Sequence, residues 1–125
     1  MPIFGAVKGI NLSLLTMTEL LEQLKNEETN FSGVIAFIEN RYQHTPTAFK
    51  NGGQLNAADQ NQGSAKLLYF AQLHHLSKED TLALFAEHYQ AVLNTPDGND
   101  HQNIRQFMEN GWHGVAFEGE VLTEK

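Results

Sequence analysis

The sequence predicts a mostly α fold of the α+β class: a single domain of four to five helices with a small β hairpin or strand element. Apolar residues recur at intervals of three and four over most of the chain, which is typical of amphipathic helices. The least helical stretch contains Asn51-Gly52, a typical hairpin turn. The 125 residues contain no internal repeat and no separating linker, so one core is expected.

Each helix is expected to begin at a residue whose side chain can cap it. The first covers about residues 18–28 and is capped by Thr16 with Glu19, or by Thr18 alone. The ranges and caps expected for the others are 33–43 with Ser32, 65–75 with Ser64, 78–93 with Ser77, and 101–110 with Asn99 or Asp100. Gly111 is expected to end the last helix.

Two short β elements complete the predicted fold. Thr47–Lys50 and Gln54–Asn56 are expected to form a hairpin around Asn51-Gly52, and the alternating run Val115–Phe117 is expected to add a strand. The predicted core is one cluster of residues from the apolar helix faces: Phe37, Leu67, Phe70, Leu82, Phe85, Tyr89, Ile104, Phe107 and Trp112.

Composition excludes several classes of protein. The net charge is -7, from 8 Lys and Arg against 15 Asp and Glu, so neither nucleic acid nor an anionic membrane is an expected partner. The chain has no cysteine, which rules out disulfides, thiolate metal sites and a cysteine nucleophile. The apolar runs are too short to span a membrane.

The N-terminal segment differs from the rest of the chain. Residues 1–18 contain one lysine and no acid, and Met17 opens a sequence typical of a protein start. We therefore interpret residues 1–16 as a leader or a misassigned start, and residues 17–125 as the domain. The alternative is an additional element that packs its apolar residues, Ile3, Phe4, Ile10, Leu12 and Leu15, onto the domain.

A series of short motifs, in order, gives the chain a family resemblance over about residues 17–122. The motifs are Tyr42, Thr45-Pro46-Thr47, Phe49, Asn51-Gly52, Gln60-Asn61, Gly63-Ser64, Phe70-Ala71-Gln72-Leu73-His74, Leu76-Ser77, Thr81-Leu82-Ala83-Leu84-Phe85, Tyr89, Asn94, Pro96-Asp97-Gly98, Asp100-His101-Gln102-Asn103-Ile104-Arg105, Gly111-Trp112 and Phe117-Glu118-Gly119-Glu120. Together they resemble the HopJ type III effector family. The chain departs from that pattern at His75, where the family tends to have a small residue.

The resemblance implies a small, mostly helical bacterial protein whose family is named for a plant-pathogen effector. It brings no reaction, cofactor or catalytic residue with it, so none is assigned. Because Glu19 and three further acids fall within the first predicted helix, residues 17–28 do not have the flexible, acid-poor character of an export signal. We therefore predict a cytoplasmic protein, with secretion into a host cell by a type III system as the alternative.

Histidines are the first candidates for a site. The six histidines include no pair at i, i+4, which a zinc site on one helix would use, so no metal site is predicted. His74 shares a helical stripe with Leu67 and Phe70, and we interpret it as a core histidine bonded to a carbonyl or carboxylate. His75 and His88 are expected to face water. Whether His74 and His101 converge is left open.

Three polar segments have an ordinary and a functional interpretation. Asp97–Asp100 is interpreted as a turn and helix cap, because its glycine and its twelfth position do not fit a calcium loop. Gly63–Lys66 lacks the spacing of a phosphate loop and is interpreted as a capped helix start. The amide-rich loop Asn51–Asn61 either satisfies its own backbone or binds a ligand.

Two functions remain. The first is a non-catalytic protein that binds another protein or a small molecule, with candidate residues Asn51, Asn61, His74, Asp100, His101 and Arg105. The second is a small-molecule or metal-assisted enzyme that uses His74, Asp100, His101 and Arg105 around a cleft. A cleft that brings two of these side chains within hydrogen-bond reach would favour the enzyme.

Overall fold

The computed structural model describes residues 16–125 and confirms the α+β class. Within these residues the elements are α1 Met17–Lys25, α2 Phe31–Arg41, β1 Tyr42–His44, β2 Phe49–Asn51, β3 Gln54–Asn56, α3 Gln62–Leu73, α4 Lys78–Leu84, α5 Glu87–Asn94, α6 Gln102–Asn110, a 3-10 turn Gly111–Gly114, β4 Val115–Phe117 and β5 Leu122–Glu124. Apart from Thr16, the expected leader lies outside the described residues.

The first helix begins as the sequence predicts. The Thr16 hydroxyl accepts a hydrogen bond from the Glu19 N–H at 3.1 Å, and the Glu19 carboxylate accepts one from the Thr16 N–H at 2.9 Å, which is a capping box. Ser77 also caps α4, as expected. Ser32 was the wrong cap for α2: the helix begins earlier, and Asn30 Oδ1 accepts from the Gly33 N–H instead.

The helix expected over 78–93 is two helices, so the described chain has six helices rather than four to five. Ala86 has a φ of 53°, which ends α4 and lets α5 start in a new direction. This conformation costs a non-glycine residue energy and persists only when the surrounding structure holds it. Phe85, the residue before the break, is buried and stacks on Phe31 with ring centroids 6.2 Å apart.

The strands form two small antiparallel sheets. The predicted hairpin forms, but its turn is Gly52-Gly53 rather than Asn51-Gly52, because Asn51 ends β2 and pairs with Gln54. Its first strand is Phe49–Asn51 rather than Thr47–Lys50, and β4 pairs with the other edge of β2. Gly52 is needed in the turn because its φ is 58° and a Cβ there would collide with the Gln106 side chain. The second sheet, β1 with β5, was not predicted from the sequence.

One apolar core lies between the helices and the sheets. Seven of the nine predicted core residues are buried in it: Phe37, Leu67, Phe70, Leu82, Phe85, Ile104 and Phe107. Tyr89 and Trp112 pack against this core but remain partly exposed. The Trp112 indole N–H donates to the Leu76 carbonyl at 3.1 Å, so its polar edge has a partner.

Candidate functional site

A cleft of about 480 Å³ opens where the N-termini of α3 and α6 approach each other. Phe31, Phe85 and Ile104 supply its apolar groups, and imidazole, amide and hydroxyl side chains supply its polar groups. The lining residues, which we call the histidine cleft, are Phe31, Gln54, Asn61, Gly63, Ser64, Phe85, His88, His101, Gln102, Asn103 and Ile104. This list contains no Asp, Glu, Lys or Arg, so the walls of the cleft carry no permanent charge.

The N-termini of α3 and α6, which lie at the cleft, have no side-chain cap. Asn61 precedes α3 with a φ of 50°, and His101 precedes α6 with a φ of 52°. Neither residue caps its helix through its side chain, so the caps expected at Ser64 and at Asn99 or Asp100 were wrong. The first-turn N–H groups of both helices therefore bring partial positive charge to the mouth of the cleft.

Two histidines form one wall of the cleft. The ring centroids of His88 and His101 are 5.2 Å apart, and His88 contacts the ring of Phe31 edge-on at 4.8 Å. His88 is half-buried, so the expectation that it faces water was wrong. His88 reaches His101 only because α5 changes direction at Ala86, which the local sequence does not signal.

Below the cleft, four asparagines form a hydrogen-bond cluster, which we call the amide network: the buried Asn51, Asn56 and Asn103 and the exposed Asn61. Asn103 and Asn56 exchange hydrogen bonds through their side chains, with the Asn103 amide donating at 3.0 Å and the Asn56 amide at 3.3 Å. Asn61 donates to Asn56 Oδ1 at 2.7 Å. The network ties the hairpin to the starts of α3 and α6.

Asn51 is fully buried at the inner end of the amide network. Its amide nitrogen donates to the carbonyl oxygen of Asn103 at 2.7 Å and to Asn103 Oδ1 at 3.1 Å. Both neighbours are acceptors, which fixes the orientation of the amide group. Asn51 Oδ1 has no hydrogen-bond partner among the described residues. Asn51 and Asn61 therefore both connect the walls of the cleft through hydrogen bonds. Of these two residues, Asn61 lines the cleft and Asn51 does not.

Gln62 supports the same region from the first position of α3. Its side-chain oxygen accepts from the Thr47 N–H at 3.0 Å, and its nitrogen donates to the Thr47 carbonyl at 3.1 Å, as a neighbouring strand would. The His44 imidazole also lies 3.0 Å from the Gln62 oxygen. The amides of the Asn51–Asn61 loop and of Gln62 thus satisfy backbone groups, in line with the first of the two interpretations of that loop.

Arg105 holds the loop before α6 in place. Its guanidinium donates to Asp100 Oδ1 at 2.7 Å, and its Nε donates to the Asp100 carbonyl at 2.6 Å. Further donors lie 3.2 Å from Thr95 Oγ1 and 3.4 Å from the Pro96 carbonyl. The hydrogen bond from Arg105 lowers the pKa of the exposed Asp100 carboxyl. Arg105 therefore shapes the turn, and His101 is the member of this group that reaches the cleft.

His74 was wrongly expected in the core. It lies exposed after the last residue of α3. Its hydrogen-bond partner is the Tyr42 hydroxyl, 2.9 Å from Nε2, and not the expected carbonyl or carboxylate. Partial burial, followed by the charge of Arg41, lowers the pKa of His74. Burial also raises the pKa of Tyr42. Because α3 has 12 residues, His74 lies about 18 Å along the helix from the histidine cleft.

Lys66, in the first turns of α3, is engaged by another side chain and is not assigned to ligand binding. Its ammonium group forms an ion pair with Glu39 at 2.6 Å. Within residues 16–125, there is no group of three or more His, Asp or Glu side chains that could hold a metal ion. The same residues include no helix both long enough and apolar enough to cross a membrane.

The fold and the cleft define a small α+β domain with a preformed, mostly neutral cavity. The chain belongs to the HopJ type III effector protein family, whose sequence model matches residues 17–122. It is similar to the crystal structure of VPA0580, a protein of unknown function, with 44% identity and a TM-score of 0.81. That match covers 89% of this chain and 95% of the other. No curated protein matches the sequence significantly.

Proposed function

We propose that this protein is a non-catalytic binding protein and that its ligand occupies the histidine cleft. The observation that carries the proposal is the cleft itself, because its volume of about 480 Å³ lies in the range of small-molecule sites. Apolar contact from Phe31 and Phe85 is combined there with the imidazoles of His88 and His101. Such a combination suits a small polar molecule that has both a flat surface and hydrogen-bond acceptors.

The arrangement of polar groups supports binding over catalysis. Of the four residues considered for an acid–base site, His74 bonds to Tyr42 at the other end of α3, and Arg105 is engaged by oxygens of its own loop. Asp100 is exposed and paired with Arg105. Only His101 lines the cleft.

One observation favours the enzyme as a second candidate. His101 and His88 lie close enough to act on the same ligand, and an imidazole pair can supply both a general acid and a general base. His101 Nε2 is also 4.0 Å from Asp100 Oδ2, too long for a hydrogen bond but close enough for attraction when the ring is protonated. Under this alternative His88 takes the role first considered for His74.

A ligand screen by thermal shift tests the proposal. A bound ligand at about 100 times its Kd stabilises a protein by about 2.7 kcal/mol, which is readily measured as a rise in Tm. We expect the rise in the wild type to be lost in His88→Ala and in His101→Asn, since asparagine tolerates the left-handed backbone that residue 101 requires. His113→Ala, an exposed histidine outside the cleft, is the matched control.

Two results would count against binding alone. Equal stabilisation of the wild type and both cleft variants would place the ligand elsewhere on the protein. Conversion of the ligand during incubation, followed by mass spectrometry and lost in His88→Ala, would establish the enzyme instead. Because a residue that only binds and one that transfers a proton differ in their effect on turnover, kcat and KM would then be measured separately.

We further propose that the protein is cytoplasmic. The support is the start of the domain: Leu20 in α1 is buried in the core, and the helix has a capping box. A helix packed in this way must unfold before the chain can be threaded through a secretion channel. A reporter fused to residues 17–60 should therefore stay inside cells with an active type III apparatus. Efficient secretion of the fusion would favour the alternative, delivery into a host cell.

A further inference from the structure

A second and larger cavity lies between α1 and the pair α4–α5, away from the histidine cleft. Its volume is about 860 Å³. One stripe of α1 forms the first wall, because Thr18, Leu21, Glu22 and Lys25 follow each other at helical spacing and all line it. We call this cavity the acidic groove, and its floor consists of the half-buried apolar residues Leu21, Leu24, Ala83, Ala86 and Tyr89.

Charge is concentrated at the rim of this groove. Its lining includes the acids Glu22, Glu27, Asp80 and Glu87 against the single lysine Lys25. That ratio exceeds the ratio of 15 acids to 8 basic residues in the whole chain. The histidine cleft, which has no ionic lining residue, shows that acids are not spread evenly over the surface.

Most of these carboxylates are available to a partner. Within the described part of the chain, Glu22, Glu27 and Asp80 form no ion pair. Glu87 also lines the groove, and one of its carboxylate oxygens accepts a hydrogen bond from the Phe31 N–H at 2.8 Å. Unpaired acids around an apolar floor raise the local concentration of cationic partners and favour their binding.

We propose that the acidic groove docks a basic amphipathic helix of a partner protein. A helix that lies in a groove buries apolar residues at i, i+3, i+4 and i+7, and its flanking Lys or Arg residues would meet the acidic rim. The α1 wall has nine residues and is therefore about 13 Å long, which matches two to three turns of a docked helix. The apolar floor would contact the apolar face of the partner helix, and the acidic rim would favour a helix with basic flanking residues.

Titration of the isotope-labelled full chain with a synthetic peptide tests this proposal. The probe is a blocked peptide of about 14 residues made of Leu and Lys, with Leu at helical spacing, and the control peptide has Glu in place of every Lys. We expect amide shifts at Leu21, Leu24, Ala83 and Ala86 with the Lys peptide, and none with the Glu peptide. Binding should weaken as salt is added.

A matched pair of variants separates the rim from net charge. Glu22→Lys with Asp80→Lys should weaken the Lys peptide about tenfold or more. Glu109→Lys with Glu120→Lys changes the net charge equally at exposed sites outside the groove and should leave the affinity within about twofold. Circular dichroism of both variants verifies that they are folded.

Several outcomes would overturn the proposal. Equal binding of the Lys and Glu peptides would mean unselective apolar contact, and shifts confined to the histidine cleft would mean the wrong surface. A homodimer that is lost in Glu22→Lys with Asp80→Lys would assign the groove to a second copy of this chain. Binding that occurs only after Ile10→Asp and Leu12→Asp would assign it to the protein's own residues 1–15.

Discussion

The two ends of α3 use polar side chains in different ways. At its N-terminal end Asn61 and Gln62 join a set of amide groups that bind each other and the backbone. At its C-terminal end His74 makes a single side-chain hydrogen bond, to the Tyr42 hydroxyl. Carboxamide side chains do not change protonation state with pH, whereas imidazole and phenol side chains do.

The hydrogen bonds at the two ends of α3 therefore respond differently to pH. Between a protonated phenol and a neutral imidazole, the direction of the Tyr42–His74 hydrogen bond follows the tautomer: Tyr42 donates when Nε2 carries no proton and accepts when it does. Burial raises the pKa of Tyr42 and lowers the pKa of His74, and both shifts favour this neutral pair. The amide network supports the histidine cleft at any pH at which the protein is folded, while the other end of α3 depends on protonation.

The largest expected loss of stability comes from removing the buried phenylalanine ring near either end of α3. Phe85 lies at the N-terminal end and Phe70 at the C-terminal end, and both are buried. Phe85→Ala and Phe70→Ala should each lower the free energy of unfolding by about 3–5 kcal/mol in denaturant melts, because each leaves a cavity.

The two Phe variants should nevertheless differ in their NMR spectra. Phe85→Ala should shift the ring signals of His88 and His101, and Phe70→Ala should shift those of His74 and Tyr42. A loss below about 1 kcal/mol in either variant would mean that its ring is not buried as described.

A smaller effect is expected from the amide network. Asn103→Ala removes one of the partners of Asn56 and one acceptor of Asn51, so the buried amides of both residues lose hydrogen bonds. The free energy of unfolding should fall by about 1–3 kcal/mol, and by the same amount at pH 5 and pH 8. Urea melts at both values provide the measurement, and Asn94→Ala at the exposed end of α5 is the control. A clear dependence on pH would contradict a purely amide-based role.

At the other end of α3 the expected effect is a pH dependence. Because the pKa of folded His74 lies below its usual 6.5, the unfolded chain binds more protons there, and stability falls as the pH drops. The contribution is complete above 6.5 and is lost as the pH falls through the lowered pKa. His74→Gln should flatten this part of the stability profile, whereas the exposed control His113→Gln should not. Because the charge of Arg41 contributes to the lowered pKa of His74, Arg41→Gln should raise that pKa in an NMR titration.

The smallest electrostatic effect is expected at the ion pair between Arg105 in α6 and the exposed carboxylate of Asp100. Arg105→Gln should return the pKa of Asp100 to about its ordinary 3.8, measured from the carboxyl carbon signal. The pKa of Asp100 is lowered in the folded chain, so its contribution is present above 3.8 and is lost as the pH falls through the lowered value. The charge interaction itself should contribute little near neutral pH, because the Asp100 carboxylate is exposed and screened by water. An unchanged Asp100 pKa would show that Arg105 does not hold the carboxylate in solution.

Local signals in the sequence predicted much of the fold. The capping box of Thr16 and Glu19, the Ser77 cap and the hairpin that turns at Gly52 each depend on residues a few positions apart. The apolar faces also predicted most of the core, because helical spacing alone determines which side chains share a face.

The candidate site was only partly predictable. Asn61 and His101 were expected to bind a ligand and do line the cleft, but Phe31, Phe85 and His88 were not assigned to any site. No local pattern marks His88, since its approach to His101 depends on the change of direction at Ala86. His74 was misplaced because its helical stripe continues past the point where α3 ends.

The sequence by itself determined the class of fold, the family, the acidic character of the chain and the places where most of its elements begin and turn. These properties come from composition and from contacts between near neighbours. The tertiary structure decided the pairing of β1 with β5, the positive φ of Ala86, and the meeting of two helix N-termini with two histidines in one cleft. These depend on packing between residues far apart in the chain, which can impose a local conformation that the local sequence disfavours.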